Sequence, residues 1–141
     1  MAFAREAVVY HAHPVSVWEY WRRKFQYAFW RTRVYARYPG RLARDSRTPQ
    51  SQRLQGVLAA LMLFLVLLLP FVSVAPFILT FAFFLFLATN APFGVRYFSR
   101  DWRAALIAPL LILGAAYAGD AGVAWGLVRN ALNRKERQEK I

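Results

Sequence analysis

The two histidines are the first side chains that could do chemistry. His11 and His13 are the only histidines in the chain, and alternate positions on a strand would place both imidazoles on one face as two possible metal ligands. Two ligands are too few for a closed zinc site. The nearest carboxylates, Glu6 and Glu19, complete no metal-binding spacing, so we expect no metal.

Carboxylates and thiols offer no reaction centre either. Asp45, Asp101 and Asp120 are too widely separated to suggest an acid–base pair, and the sequence has no cysteine, no Gly-rich phosphate loop and no H-E-x-x-H motif. No histidine lies in a hydrophobic segment, so histidine ligation of a haem or chlorophyll there has no candidate. We therefore expect a protein that is not an enzyme and that carries no cofactor.

The composition points to a membrane as the setting for these residues. The chain of 141 residues is long enough for one domain, is 58% hydrophobic and has a net charge of +12. Residues 56–93 contain no charged side chain, and this stretch is far longer than the roughly 20 residues that cross a bilayer. We predict an all-α integral membrane protein with one interfacial amphipathic helix and about three hydrophobic helices that span or re-enter the membrane.

Proline divides the uncharged stretch into two arms. Pro70 and Pro76 each remove a backbone donor and disfavour helix just before them. We predict a helical hairpin with arms 54–69 and 76–91, followed by a third hydrophobic helix over 104–128 that Pro109 could kink. Together these make a membrane domain over 54–128.

Small residues repeat at every fourth position of the third segment. A stripe of this kind forms a groove in which another helix backbone can approach closely, and we expect it to face a helix of a partner subunit. The stripe consists of Gly114, Ala118, Gly122 and Gly126.

Asp120 lies inside the same segment. An ionisable residue within a membrane helix indicates a functional site by default, and it would be the pathway residue of a small transport component. Its position between Gly119 and Gly122 fits equally well a carboxylate at the membrane surface or one that caps a break in the helix.

The distribution of basic residues leaves the topology open. Residues 1–54 contain 11 Lys or Arg, the turn at 70–76 contains none, and residues 93–103 contain three. We predict that the chain lies in the inner (cytoplasmic) membrane. The positive-inside rule then places its N-terminus in the cytoplasm. Three spans would export the basic tail, 129–141, whereas a segment 104–128 that dips in and returns around GDAG would keep it inside. We favour three spans because the N-terminal bias is larger.

A basic and aromatic stretch over 15–39 predicts an amphipathic helix that lies on the membrane surface. Ser16 and Glu19 form an S-x-x-E capping box, and Tyr38-Pro39-Gly40 ends the helix. An apolar arc faces one way and cations flank it, which suits acyl chains and anionic headgroups. We expect no nucleic-acid partner, because a helix that stacks on bases must expose its aromatic residues, a face this rich in Trp and Phe would need a core behind it, and the sequence offers no soluble core. The lipid-contacting residues of the prediction are Trp18, Trp21, Arg22, Arg23, Lys24, Phe25, Phe29 and Arg31. A basic loop, 40–53, joins this helix to the first arm, and a short segment, 1–14, precedes it.

The order of these segments resembles the C-terminal membrane region of family 2 glycosyltransferases. The resemblance rests on VVYHAHP at 8–14, RRKFQYAFW at 22–30, DSRTPQ at 45–50 and the hydrophobic hairpin. It implies an interfacial helix followed by transmembrane helices that hold a sugar-nucleotide domain near a lipid-linked acceptor. Neither the D-x-D motif nor the R-W motif of the catalytic domain occurs in this sequence, so no catalytic residue is carried over.

The sequence as a whole predicts a non-catalytic accessory or structural subunit of a larger membrane complex, such as an energy-transducing or photosynthetic one. Its partners would be membrane lipids with anionic headgroups and other transmembrane subunits. Two alternatives stay open: a membrane-anchor module that works with a separate glycosyltransferase domain on polyprenyl-linked sugars, and the transport component already mentioned.

Overall fold

The computed structural model confirms an all-helical chain. It describes residues 16–40 and 50–138, with side chains to residue 132, and in this part of the chain it contains four helices and no strand. His11, His13 and Asp45 lie outside the described residues, as does most of the predicted basic loop. The helices are α1 (Val17–Arg37), α2 (Gln50–Leu68), α3 (Ala75–Phe98) and α4 (Trp102–Gln138).

Helix α1 begins and ends close to its predicted boundaries. The hydroxyl of Ser16 accepts a hydrogen bond from the backbone N–H of Glu19 at 3.2 Å, which is the first half of the predicted capping box. The helix ends at Arg37, and the N–H of Tyr38 donates to the carbonyl of Val34. Pro39 comes next, and the residue before a proline is disfavoured in the helical region.

Helices α2 and α3 form the predicted hairpin. Pro70 lies in the turn between them, and Pro76 occupies the first turn of α3, where its missing N–H costs no hydrogen bond. Both helices extend beyond the predicted arms, α2 by four residues at its start and α3 by seven at its end. Pro92 and Gly94 are therefore helical, and so is the polar start of α2.

Helix α4 is one continuous helix that contains the predicted third segment, 104–128. It runs through Asp120 without a break, so Asp120 caps no helix end and the chain does not turn back around GDAG. It also continues to Gln138, which makes most of the predicted basic tail helical. With 37 residues, α4 is about 55 Å long, nearly twice the thickness of the hydrocarbon core.

A small core holds the hairpin and α4 together. Phe86 is fully buried, and Leu58, Met62 and Ala82 pack around it from the two hairpin helices. Ile112 and Leu113 of α4 lie against this cluster.

Three of the four helices are long and apolar enough to cross a membrane: α2, α3 and residues Trp102–Leu132 of α4. Within the most apolar stretch of each, only 17% to 28% of the residues are buried by the rest of the chain. Phe77, Phe81 and Phe84, for example, project from one side of α3 and are largely exposed. A surface this apolar is typical of a multi-pass membrane protein.

Candidate membrane and helix-packing site

The most extensive helix–helix contact joins α1 to α4. The two helices run in the same direction, because their contacts advance together along both helices. Trp21 meets Gly114, then Phe25 and Ala28 meet Gly122, and finally Thr32 meets Gly126. Among the described residues α1 contacts no helix other than α4. The amphipathic helix is therefore part of the folded domain and is held by a single neighbour.

Three glycines allow this close approach. A Cβ on Gly122 would collide with the backbone carbonyl oxygen of Phe25 and lie 3.1 Å from the Cβ of Ala28. A Cβ on Gly126 would lie 2.9 Å from the Cβ of Thr32, and one on Gly114 would collide with the indole of Trp21. Ala118, the fourth member of the predicted stripe, is half-buried. The prediction of close packing holds for these glycines, but the helix in the groove is α1 of the same chain and not a partner subunit.

One polar bond fixes the indole at the start of this contact. The Nε1–H of Trp21 donates to the carbonyl oxygen of Leu111 at 3.1 Å. Trp21 thus combines a large apolar contact over Gly114 with a directional bond to the α4 backbone. This geometry sets the relative position of the two helices along their axes.

The structure divides the predicted lipid-contacting residues into two groups. Trp21, Phe25 and Phe29 lie on the side of α1 that meets α4, and Phe29 is only 8% exposed. The Trp21 indole and the buried Phe29 have a protein neighbour, whereas Phe25 is shown against α4 only through its backbone carbonyl and its side chain is partly exposed, so lipid contact stays a prediction for Phe25. The remaining members lie at the start of α1 or along its flanks, and lipid contact stays a prediction for them: Trp18, Arg22, Arg23, Lys24 and Arg31.

The flanking cations differ in their surroundings. Arg23 forms an ion pair with Glu19 at 2.6 Å, one helical turn away. Lys24 is half-buried with its Nζ 5.5 Å from the centroid of the Tyr20 ring. Burial, and in second place the positive charge of Arg31, lowers the pKa of Lys24 below its usual value.

The side of α1 that points away from α4 carries a second aromatic row. Tyr27 is 67% exposed, Trp30 is 57% exposed, and Val34 continues the row one turn later. The guanidinium carbon of Arg33 lies 5.1 Å from the centroid of the Trp30 ring, a cation–π distance. Arg37 is exposed at the end of the helix. We call Tyr27, Trp30, Arg33, Val34 and Arg37 the outer face of α1. In the sequence pattern Tyr27, Trp30 and Val34 fall outside the main apolar arc, where contact with other protein was the expectation, and Arg33 borders the arc.

A polar cluster joins the two hairpin helices. The side-chain amide of Gln55 donates to Asn90 Oδ1 and to Thr89 Oγ1, each at 3.3 Å, and Gln55 and Asn90 are both buried. The Asn90 amide and the Thr89 hydroxyl in turn donate to the carbonyl of Phe86. Hydrogen bonds between helices stabilise membrane hairpins modestly. The sequence analysis did not predict this cluster, although its three polar side chains stand out in otherwise apolar segments.

Asp120 lies against α2. Its Oδ1 would be 3.1 Å from a Cβ placed on Gly56, so the missing side chain at position 56 makes room for the carboxylate. Its Oδ2 is buried and has no hydrogen-bond partner among the described residues. No group of three His, Cys, Asp or Glu side chains that could hold a metal ion occurs in the same part of the chain.

No protein-family model, no curated protein and no solved structure matches this chain.

Proposed function

We propose that this chain is a non-catalytic accessory subunit that packs within a larger complex of the cytoplasmic membrane. The observation that carries the proposal is the small buried share of its apolar helices, between 17% and 28% of each apolar stretch. Three helices of this size leave most of their surface to be covered by lipid or by other transmembrane subunits. The absence of motifs for nucleophilic, acid–base or phosphate chemistry in the sequence agrees with a structural role.

The exposed phenylalanine row of α3 is the contact surface that we assign to the neighbouring subunits. Phe77, Phe81 and Phe84 recur at helical spacing and stand on one side of the helix. Aromatic side chains are enriched where proteins meet, since they bury a large area with few rotatable bonds.

The test is purification of the tagged full chain from native membranes in a mild detergent, followed by mass spectrometry of the eluate. We expect a fixed set of transmembrane proteins in constant ratio, which an unrelated multi-pass protein with the same tag does not retain. Changing Phe77, Phe81 and Phe84 to Leu keeps the surface apolar but alters its shape, so the neighbouring subunits should be lost. The matched control changes Leu106 and Leu110, which are exposed on α4, to Ile. Elution of the unaltered chain with lipid alone would refute the proposal.

The order of the elements favours a second candidate function. A basic and aromatic helix precedes a hydrophobic hairpin, as in the membrane region of the family 2 glycosyltransferases that the sequence resembles. In this case the chain would anchor a separate sugar-nucleotide domain at the membrane. The same purification distinguishes the two, because the eluate would then contain one soluble sugar-nucleotide domain and no set of transmembrane subunits.

A further inference from the structure

The position of α1 constrains how α4 meets the membrane. Helix α1 lies beside the middle of the hydrophobic part of α4, from Leu111 to Gly126. Were this stretch of α4 to cross the centre of the bilayer, α1 would lie in hydrocarbon at the same depth. Its 21 residues include six basic side chains and one acidic residue, Glu19. Basic side chains in the hydrocarbon region are costly, and one acidic residue cannot neutralise six of them.

The continuity of α4 excludes a second arrangement. An unbroken helix from Trp102 to Gln138 cannot enter the membrane and return on itself. An orientation along the membrane surface remains, and the apolar residues that α4 exposes, among them Leu106, Leu110 and Val128, would then face the acyl boundary.

The charge distribution agrees with this orientation. If only the hairpin of α2 and α3 crosses the membrane, then residues 1–54, residues 93–103 and the basic end of the chain all lie on one side. These three regions contain all 19 Lys and Arg residues, and the hairpin turn contains none. The conflict between three spans and the positive-inside rule then disappears.

The outer face of α1 has the composition of a surface that binds anionic lipid. Tyr and Trp are enriched where membranes meet water. Arg33 and Arg37 lie beside Tyr27, Trp30 and Val34, so aromatic rings and cations occur on the same face. The hairpin holds this face close to the membrane, where its positive charge complements a negative leaflet.

We propose that α1 and the part of α4 from Leu111 to Gly126 lie together at the membrane surface, and that the outer face of α1 binds anionic phospholipid headgroups. This inference rests on the packing of α1 and on charge, and it is independent of the accessory function proposed above. Binding of a soluble protein by the same face is the competing outcome that the experiment must separate.

The experiment measures the depth of single nitroxide labels in purified protein reconstituted into vesicles. The chain has no cysteine, so Val34→Cys labels the outer face of α1 and Ala124→Cys labels an exposed position on α4 without background. Phe81→Cys, on the exposed side of α3, serves as the hydrocarbon control. The rate at which the nitroxide collides with oxygen increases with its depth in the membrane, whereas its collision rate with a water-soluble nickel complex decreases with depth.

In vesicles that contain phosphatidylglycerol we expect the label at Val34 to report a depth near the lipid phosphates, the label at Ala124 to report the boundary between headgroups and acyl chains, and the label at Phe81 to report deeper hydrocarbon. In pure phosphatidylcholine the label at Val34 should move toward water. The variant Arg33→Gln/Arg37→Gln should lose this dependence on phosphatidylglycerol, and Arg33→Lys/Arg37→Lys should keep it. Each cation near an anionic surface shifts the equilibrium between the membrane-bound and the free outer face roughly fivefold. Arg33→Gln/Arg37→Gln should therefore lower this equilibrium constant roughly 25-fold.

Two results would overturn the proposal. Labels at Val34 and Ala124 that report the same depth as the label at Phe81 would place both helices in hydrocarbon. A label at Val34 that reports full water exposure in both kinds of vesicle would leave the outer face to a soluble partner. Circular dichroism of each labelled protein establishes that the helices are intact.

Discussion

The contact between α1 and α4 predicts opposite outcomes for two glycines that are three residues apart in α4. A Cβ on Gly122 would collide with the backbone carbonyl oxygen of Phe25, whereas nothing lies within 4 Å of a Cβ on Gly119. We compare Gly122→Ala with Gly119→Ala. Both changes raise helix propensity by the same amount, about 1 kcal/mol, so this effect cancels in the comparison.

The remaining difference is the cost of the collision. The carbonyl oxygen of Phe25 belongs to a helix backbone and cannot rotate away, so α1 has to move off α4. Overpacking of this kind costs about 1–3 kcal/mol. The ratio of docked to undocked α1 should therefore be roughly 5- to 150-fold lower in Gly122→Ala than in Gly119→Ala.

The docked fraction can be measured in the reconstituted protein by the distance between two nitroxides. Val34→Cys on α1 and Val128→Cys on α4 are both exposed and lie outside the contact. We expect one narrow distance distribution in the reference protein and in Gly119→Ala, and a second, broad component in Gly122→Ala. Equal distributions in the two glycine variants would refute the close packing that the structure describes.

Three further predictions concern the hairpin and the buried charges. Asn90→Leu removes an acceptor of the buried Gln55 amide and should destabilise the hairpin by about 1 kcal/mol in unfolding by sodium dodecyl sulfate, and Gln55→Leu in the same chain should restore part of the loss. Gly56→Ala raises helix propensity by about 1 kcal/mol but brings a Cβ to 3.1 Å from Asp120 Oδ1, so a double-mutant cycle should show that it is more stabilising beside Asp120→Ala than in the reference chain. Burial lowers the pKa of Lys24, so the docked helix binds fewer protons than the undocked one. Docking should strengthen as pH rises from the lowered pKa toward about 10.5 and stay constant below it, and Lys24→Met should remove this dependence in the nitroxide assay.

The boundaries of the elements were largely predictable because they depend on local chemistry. Ser16 caps α1, Pro39 follows its end, and Pro70 and Pro76 bracket the hairpin turn. Each of these effects acts within one helical turn of the residue that causes it. The continuation of α4 from Val128 to Gln138 was not predicted, because the prediction followed hydrophobicity, and Lys, Arg, Glu and Gln favour helix without being apolar.

The partner of each face could not be predicted in this way. Periodicity identified an apolar arc on α1, but it does not distinguish a lipid surface from a helix about 90 residues later, such as the one that Trp21 reaches at Leu111. The glycine stripe likewise predicted close approach and left the identity of the helix open. The Gln55–Asn90 pair joins residues 35 positions apart, and no local rule connects them.

The distance along the chain between α1 and α4 also determines the order of events during synthesis. Residues 21 and 111 are joined by a hydrogen bond across 90 positions, so at about 5–20 residues per second α1 emerges roughly 5–20 s before its docking site exists. Over that interval Trp21, Phe25 and Phe29 have no glycine groove to cover them, and a helix with such a face partitions to the nearest membrane surface. We therefore expect nascent α1 to lie on the membrane surface and to exchange that surface for α4 once α4 is made. On this view the apolar arc that the sequence assigns to the membrane describes α1 before it docks.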